Sequence, residues 1–210
     1  MTFCIITHVI HTKSNGKYYA YAPYVNEMNL WIKNTDKVLI VAPLKVVDAN
    51  SILNNYSHNE IQFIAVPPFS ITSFRNVIFT LVKLPKICYS IFTAMQQSDH
   101  IHLRCPGNLG LLGSCIQILF PNKKKTTKYA GNWDPKSKQP ISYRIQKWII
   151  SSPFLTKNMQ VLVYGEWKNQ SKNIKPFFTA TYTESEKEAV EKRNLNGIIK
   201  CIFVGTFSSG

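Results

Sequence analysis

The chain has 210 residues, enough for one complete domain and part of another, and its 45% hydrophobic and 12% aromatic content excludes a disordered chain. Lys and Arg total 25 against 11 Asp and Glu, and the resulting net charge of +14 favours polyanionic partners: nucleic acid, an anionic membrane face or phosphorylated substrates. The five cysteines form no C-x-x-C pair, which is typical of a reducing compartment and provides no metal framework.

Short β-rich runs alternate with helical patterns along most of the chain. Strands are predicted at Phe3–Ile10, Lys37–Ala42, Ile61–Val66, His100–Arg104, Thr127–Ala130 and Gln160–Tyr164. Helices are predicted at Pro23–Lys33, Ser70–Val82, Pro85–Gln96, Leu109–Phe120 and Ile141–Ile150. This alternation predicts an α/β fold with a Rossmann-like parallel sheet covered by helices on both faces.

A proline divides the second helical region into a predicted broken pair. Pro85 has no backbone N–H and disfavours a continuous helix, so the pair is expected to separate there. The segment Phe74–Met95 is the nearest candidate for a membrane span, but basic residues and this proline interrupt it. An apolar segment with flanking lysines in a chain of charge +14 predicts peripheral attachment to an anionic leaflet.

Two shorter patterns follow. The run Lys123–Lys125 is the only charge run, and it is predicted to form a turn between a helix and a strand. The segment Ile141–Ile150 has the spacing of an amphipathic helix, with one apolar side formed by Ile141, Ile145, Trp148 and Ile149.

A change of composition marks a domain boundary near the end of the chain. Thr183–Arg193 is rich in Glu, Lys and Arg, and it indicates a solvated helix or linker. Ile199–Val204 then has the pattern of a buried strand, and Gly205 begins a Gly/Ser-rich turn. The predicted organisation is a Rossmann-like domain over 1–182, a charged linker over 183–197, and the first strand and turn of an incomplete second domain over 198–210.

The loops after the strands hold the candidate site residues, because ligands of open parallel sheets bind outside the carboxyl ends of the strands. After the first strand, Lys13 offers charge and Gly16 lets the backbone turn. Neither a G-x-G-x-x-G nor a G-x-x-x-x-G-K-[ST] motif occurs, so no dinucleotide fingerprint or P-loop is predicted. A flexible polar loop without a binding role is the alternative.

The loop after the fourth strand begins with a basic residue. Arg104 ends a buried strand, where an unpaired cation is costly, so its guanidinium should meet either a phosphate or an internal carboxylate. Asn108 can cap the following helix and leave its N-terminal amides open to an anion.

The next two loops contain residues that suit carbohydrate. Asn132, Trp133 and Asp134 combine an amide, a flat apolar ring and an acceptor carboxylate, which together match the hydroxyls and the C–H face of a sugar. The alternative is an Asp-Pro turn with a tryptophan in the core. After the sixth strand, Glu166 could accept a hydrogen bond from a hydroxyl or act as a base.

The histidines and cysteines predict no metal and no nucleophile. His100 and His102 share one strand face, but no carboxylate or thiolate completes a ligand spacing, and H-E-x-x-H is absent. Cys105 lies beside Arg104 and could be an activated thiolate, although a buried, inert thiol is the favoured interpretation because no triad order is present.

Four stretches, in their order and spacing, resemble a known family: Tyr24–Trp31, Ile101–Leu112, Lys128–Asp134 and Phe203–Gly205. They are similar to the N-terminal half of GT-B glycosyltransferases, and among these to the family 4, or group 1, enzymes of bacterial surface-polysaccharide synthesis. The resemblance covers nearly the whole chain. It implies a two-domain enzyme whose N-terminal half holds a lipid-linked or saccharide acceptor and whose C-terminal half holds a nucleotide-sugar donor, without a metal or other cofactor.

The resemblance also carries expectations about single residues and location. Gly205 and Thr206 would lie at the donor, although many relatives have an arginine in place of Thr206. Arg104 stands where many relatives have a histidine facing the donor sugar. The catalytic residues are not assigned, and the chain by itself is expected to transfer no sugar. The implied location is the cytoplasmic, inner face of the plasma membrane, with peripheral attachment and no nucleic-acid partner.

Two other classes remain as alternatives. The charge and the aromatic residues fit a basic nucleic-acid-binding α/β module without catalytic activity, although no RRM, KH or helix-turn-helix signature is present. A small α/β hydrolase would need a nucleophile elbow such as G-x-S-x-G, and the sequence has none.

Overall fold

The computed structural model describes residues 1–46, 52–68, 74–178, 189 and 197, and for residues 74–81 it describes the backbone alone. The chain divides into two compact units, Met1–Thr179 and Ala180–Gly210. The predicted linker, apart from residues 189 and 197, and the predicted strand Ile199–Val204 lie outside the described residues, as do Gly205 and Thr206.

The described part of this unit contains ten strands and four α-helices. The strands are β1 (Thr2–Ile6), β2 (Thr12–Ser14), β3 (Lys17–Tyr21), β4 (Lys37–Pro43), β5 (Leu53–Asn55), β6 (Ile61–Val66), β7 (His100–Cys105), β8 (Lys124–Tyr129), β9 (Met159–Val163) and β10 (Ile174–Pro176). The helices are α1 (Ala22–Ile32), α2 (Phe74–Gln96), α3 (Asn108–Ile116) and α4 (Ile141–Ser151), and a 3-10 turn follows α3 at Gln117–Leu119.

Seven parallel strands form the main sheet in the order β10-β9-β8-β7-β1-β4-β6. The chain runs outward from β1 in one direction through β4 to β6, and then outward in the other direction from β7 to β10. This is the strand order of a Rossmann-like sheet, with its topological switch point between β1 and β7. The predicted α/β fold class is confirmed.

Two apolar clusters cover the two faces of the sheet, because alternate residues of a strand point to opposite sides. On one face Phe3 and Ile5 of β1 pack with Tyr24 and Met28 of α1. On the other face the alternate β1 residues, among them Ile6, pack with the helical layer of α2, α3 and α4. The predicted cover of helices on both faces is therefore present.

The first strand is shorter than predicted. It ends at Ile6 instead of Ile10, because the hydroxyl of Thr7 accepts a hydrogen bond from the N–H of Val9 at 3.2 Å and turns the chain away. His8 therefore lies in a loop at the carboxyl edge of the sheet and not within a strand.

The stretch after this loop is a β-hairpin, where the sequence predicted a polar loop. Thr12 to Ser14 pair with residues 17–19, and the two-residue turn Asn15-Gly16 has φ values of 48° and 77°. Positive φ at both positions is the type I′ geometry that Asn-Gly favours. The strand β5 then pairs with β3 to give a small antiparallel sheet beside α1.

The predicted break at Pro85 is wrong, since α2 is one helix over 74–96 with Pro85 inside it. The proline lies on the solvent side of the helix, where Lys83 and Lys86 are also exposed. The carbonyl that loses its intrahelical partner there can be hydrated, while Ile87 and Ile91 on the opposite side are buried against the sheet. Burial of that side holds the two halves in one helix.

The predicted turn at the lysine run is present only at Lys123, which lies in the bend before β8. Lys124 and Lys125 begin β8, and Lys125 is 2% exposed. Its ammonium donates hydrogen bonds to the carbonyls of Gln117 at 3.3 Å and Phe120 at 3.0 Å, at the end of the preceding helical segment. Burial lowers the pKa of Lys125 to about 8.

The helix α4 turns its most apolar side outward. Ile141, Ile145 and Trp148 are 73%, 46% and 68% exposed, while Gln146, Ile149 and Ile150 are buried. A surface helix ordinarily buries its apolar stripe, and the sequence pattern grouped Ile149 with the exposed residues. The buried side of α4 instead contains a glutamine that binds the neighbouring loop.

Candidate functional site

A cavity of 290 Å³ lies at the switch point of the sheet, outside the carboxyl ends of β1 and β7. The loop after β1 contributes His8 and Ile10, and the loop after β7 contributes the segment from Pro106 to Leu109. Pro43, Pro68 and Tyr143 complete the lining. This is the position at which open α/β sheets bind ligands.

The backbone of Gly107, in the loop after β7, lies close to the ring of His8. A side chain at position 107 would place its Cβ 2.7 Å from Nδ1 of His8, so only glycine fits there without displacing the ring. The N–H of Gly107 donates to Oε1 of Gln146 at 3.3 Å, and Nε2 of Gln146 donates to Sγ of Cys105 at 3.1 Å. Gln146 thereby connects α4 to this loop.

The prediction that Asn108 caps the following helix is wrong. Gly107 is the N-cap of α3, and Asn108 is the first helical residue. Gly107 has a φ of 155° and the cap has no side-chain hydrogen bond, so the helix begins one residue earlier than the asparagine cap would require. Asn108 still lines the cavity, so the predicted location of this residue beside the switch point agrees with the geometry.

His8 is an exposed imidazole that favours its neutral form. Partial burial lowers its pKa below the ordinary value of 6.5, and the positive charge of Arg104 lowers it further. A neutral imidazole at pH 7 can accept a hydrogen bond or a proton from a ligand hydroxyl. The sequence analysis did not include His8 among the site residues, although His8 comes two residues after β1, a strand at the switch point.

Arg104 meets an internal carboxylate, the second of the two predicted outcomes. Its guanidinium donates to Oε2 of Glu27 at 3.3 Å and lies over the ring of Tyr24, 5.4 Å from the centroid. The ammonium of Lys128 donates to the same carboxylate oxygen at 3.0 Å. Glu27 on α1 therefore joins β7 and β8.

The cluster brings two cations to one carboxylate. Lys128 is 1% exposed and the side chain of Glu27 is 8% exposed, so bulk water screens these charges only weakly. Oε1 of Glu27 has no hydrogen-bond partner among the described residues. The charge of Arg104 reaches His8, since it lowers the pKa of that imidazole, and a positive charge there favours an anionic ligand in the cavity.

The tryptophan predicted to stack on a sugar lies in the core. Trp133 is 3% exposed, packs edge-on against Tyr129 at 5.0 Å and donates from Nε1 to Gln170 at 3.1 Å. The ammonium of Lys147 lies 5.0 Å from the ring centroid. This arrangement leaves almost no ring surface for a ligand and favours the alternative of a turn with a core tryptophan.

The polar residues beside this tryptophan form hydrogen bonds within their own loop. Oδ1 of Asn132 accepts from the N–H of Asp134 at 2.9 Å, and Oδ1 of Asp134 accepts from the N–H of Lys136 at 2.8 Å. Both are turns of the Asx type. Asn132 is exposed and Asp134 half-buried, so their predicted contact with a sugar stays a prediction.

Three other predicted residues lie elsewhere. Glu166 is exposed in the turn after β9, at the carboxyl edge but not in the cavity lining. Lys13 is exposed in the hairpin, with its ammonium 5.3 Å from the ring centroid of Tyr18. Gly16 lines a separate cavity of 320 Å³ together with residues such as Asn59 that precede β6, away from the carboxyl edge.

The two histidines and the cysteine for which the sequence favours no metal and no reactive thiol all lie on β7. His100 and His102 both contact the hydroxyl of Thr126, at 2.9 and 2.8 Å, and burial lowers their pKa values to about 4 and about 3. No three His, Cys, Asp or Glu side chains in the described ranges are grouped to hold a metal ion. Burial raises the pKa of Cys105 to about 12, which favours the predicted inert thiol.

The coupling between His8 and Arg104 gives a prediction for titration. Replacing Arg104 by Gln removes one of the two causes of the shift, so the pKa of His8 should rise but stay below 6.5, because burial is the larger cause. The imidazole would then become charged at a higher pH than in the unchanged protein. NMR titration of the His8 ring, assigned by its loss in His8→Gln, measures this. An unchanged or lower pKa would show that the two groups do not interact.

No protein-family model matches the chain, and no curated protein matches it.

Proposed function

We propose that this chain is the N-terminal, acceptor-side portion of a glycosyltransferase of the GT-B type, which transfers a sugar from a nucleotide-sugar to a lipid-linked or saccharide acceptor in surface-polysaccharide synthesis. The observation that carries the proposal is the switch-point cavity, where a neutral imidazole and the first residues of α3 meet beside the positive charge of Arg104. The four stretches that resemble the family support the same conclusion from the sequence.

Each group in the cavity has a role in this proposal. His8 accepts a hydrogen bond or a proton from an acceptor hydroxyl, since its lowered pKa keeps the ring neutral at pH 7. Arg104 does not line the cavity, but its charge acts on His8 and would attract the negative charge of a phosphorylated acceptor or of the donor diphosphate, although Glu27 occupies part of its hydrogen-bonding capacity. The donor contacts proposed for Gly205 and Thr206 concern residues outside the described part of the chain.

The decisive test measures sugar transfer by the natural, full-length polypeptide. Labelled UDP- and GDP-sugars are offered as donors, with bacterial lipid extract as acceptor. The expected result is incorporation of label into lipid, with His8→Ala reducing kcat by 10²-fold or more, in the range of a lost general base or acid. Lys13→Gln is the matched control, because Lys13 is exposed in the hairpin and does not line the cavity.

Three outcomes would contradict the proposal in different ways. No transfer from any donor, combined with tight and salt-sensitive binding of oligonucleotides, would favour the alternative of a basic nucleic-acid-binding module. If His8→Ala leaves the rate of sugar transfer unchanged, the cavity takes no part in the reaction. Equal losses in His8→Ala and Lys13→Gln would move the site toward the hairpin, as the sequence prediction had it.

The proposal includes peripheral attachment at the cytoplasmic, inner face of the plasma membrane. No helix in the described ranges combines the length and the apolar character needed to cross a bilayer. Residues 180–210 contain four acidic and four basic residues, so the net charge of +14 resides in the part of the chain that precedes them. Such a charge would attract that part to anionic lipid.

A further inference from the structure

We propose that the outward side of α4 is the surface by which this protein docks on an anionic membrane. The docking surface consists of Ile141, Arg144, Ile145 and Trp148 on the helix and Phe154 in the turn that follows it. This deepens the peripheral attachment proposed above, and it replaces the Phe74–Met95 segment as the contact.

The apolar members of the docking surface form one continuous stripe on the helix. Ile141, Ile145 and Trp148 are spaced i, i+4 and i+7, so they lie above one another on one side. They are 73%, 46% and 68% exposed, and Phe154 is 80% exposed. Neighbouring positions on the opposite side of α4 are buried, so the helix cannot rotate to hide the stripe without losing its contact with the core.

The sequence segment that contains the docking surface is basic. The sequence contains no acidic residue between Asp134 and Glu166, whereas it contains five basic residues in that interval: Lys136, Lys138, Arg144, Lys147 and Lys157. Arg144 is exposed and lies on the same side of α4 as the apolar stripe. An apolar stripe with a tryptophan and surrounding cations is the composition of helices that lie in the interface of anionic bilayers.

A membrane suits this surface better than a second copy of the chain. The helical stripe runs over eight residues, from Ile141 to Trp148, and their seven steps correspond to roughly 10 Å along the axis. A stable protein interface needs about 800 Å² on each partner, far more than four apolar side chains provide. A bilayer requires no complementary shape, and Arg144 can extend its charged end toward the headgroups while its stem lies along the apolar layer.

The docking surface is coupled to the cavity through one helix. Tyr143 belongs to α4 and lines the switch-point cavity. Ile141 and Ile145, which precede and follow it by two residues in the sequence, belong to the docking surface. Gln146 of the same helix binds the backbone of Gly107 at the cavity. Docking of α4 would therefore hold the cavity close to the headgroup layer, where the polar end of a lipid-linked acceptor is found.

Vesicle binding tests the inference without sugar transfer. The full chain is mixed with vesicles of two compositions. One is phosphatidylcholine alone, and in the other about 3 in 10 lipids are anionic phosphatidylglycerol, which gives the vesicle a negative surface potential. Binding is measured by co-sedimentation at low and high salt. The protein should bind the anionic vesicles, and high salt should release it.

Matched variants identify the surface. Trp148→Ser should weaken binding about tenfold or more, since one large side chain no longer enters the apolar layer. Arg144→Gln should weaken it about five-fold, the effect of one basic residue near an anionic surface. Leu30→Ser is the control, because Leu30 is 76% exposed but belongs to α1 on the other face of the sheet, and it should leave binding unchanged.

A fluorescence measurement reports the depth of the contact directly. Trp148 should be quenched by brominated phosphatidylcholine, while Trp133, which is 3% exposed, should not. Quenching should disappear in Trp148→Phe, a change that keeps an aromatic ring and therefore the docking itself.

Four results would overturn the inference. The first three are equal affinity for neutral and anionic vesicles, vesicle binding that Trp148→Ser leaves unchanged, and a loss of binding in Leu30→Ser as large as that in Trp148→Ser. The fourth is a protein that does not bind vesicles but forms dimers at higher concentration, with Trp148→Ser abolishing the dimer. Because no donor or acceptor sugar is used, these failures are distinct from a failure of the transferase proposal. A transferase that does not bind vesicles, or a vesicle-binding protein without transferase activity, would each be recognised.

Discussion

Replacing Glu27 by Gln is expected to lower the free energy of unfolding by about 3–5 kcal/mol, the cost of leaving buried charges without their counter-ion. The carboxylate of Glu27 accepts hydrogen bonds from Arg104 and Lys128, which come from strands 77 and 101 residues away in sequence. The substitution keeps the shape of the side chain and removes the negative charge that both cations contact, with Lys128 only 1% exposed. Urea denaturation followed by circular dichroism measures the loss.

Glu60→Gln is the control for this change. Glu60 is exposed, in contact with solvent before β6, and its replacement should alter stability by less than about 0.5 kcal/mol. A loss below about 1 kcal/mol in Glu27→Gln would mean that water reaches the cluster and screens the two cations. The charge of Arg104, which lowers the pKa of His8 in the proposed site, would then act on that imidazole more weakly than the geometry indicates.

Replacing Trp133 by Ala is expected to cost about 3–5 kcal/mol, the range for truncating a buried aromatic side chain. The ring fills the core between Tyr129 and the amide of Gln170, and it is 3% exposed. Its removal leaves a cavity next to β8 and an unpaired carbonyl on Gln170. Equilibrium unfolding again provides the measurement, and thermal unfolding should show a lower Tm.

Trp148→Ala is the matched comparison, because the same side chain is 68% exposed there and its loss should change stability by less than about 0.5 kcal/mol. The pair separates the two interpretations of the Asn132–Asp134 loop. A stable Trp133→Ala protein with weakened acceptor binding would restore the interpretation of a ring that stacks on sugar. A destabilised protein that still binds acceptor would establish the loop as structural.

The strands and helices could be predicted because each depends on a pattern of residues that are close together in the sequence. The alternation of the strand around Ile61–Val66 and the spacing of Tyr24 and Met28 on one side of a helix each depend on neighbours within a few residues. The Asn15-Gly16 hairpin also has a local signal, because Asn-Gly between β-rich runs favours a type I′ turn. The polarity of the same stretch favours a loop, and the turn chemistry outweighs it.

The sequence predicts where the candidate site lies, but it does not predict all of the residues that form it. A ligand site at the carboxyl edge follows from strand order, and Arg104 and Asn108 were placed near it from the sequence. His8 was missed because the strand was extended through it to Ile10, although its Thr-His turn could have ended the strand earlier. Gln146 offered no signal, since a buried glutamine on an amphipathic helix resembles any surface residue.

The sequence by itself determined the class of fold, through periodicities that act between residues close together in the chain. The tertiary structure decided which charges meet and which rings are covered, because these depend on contacts between distant segments. The partner of Arg104 comes from α1, the ring of Trp133 is covered by Tyr129 and Gln170, and the apolar side of α4 stays outside because Gln146 is held within. Composition near a residue cannot distinguish a buried tryptophan from a binding one, since both are apolar and differ only in what the rest of the chain places over them.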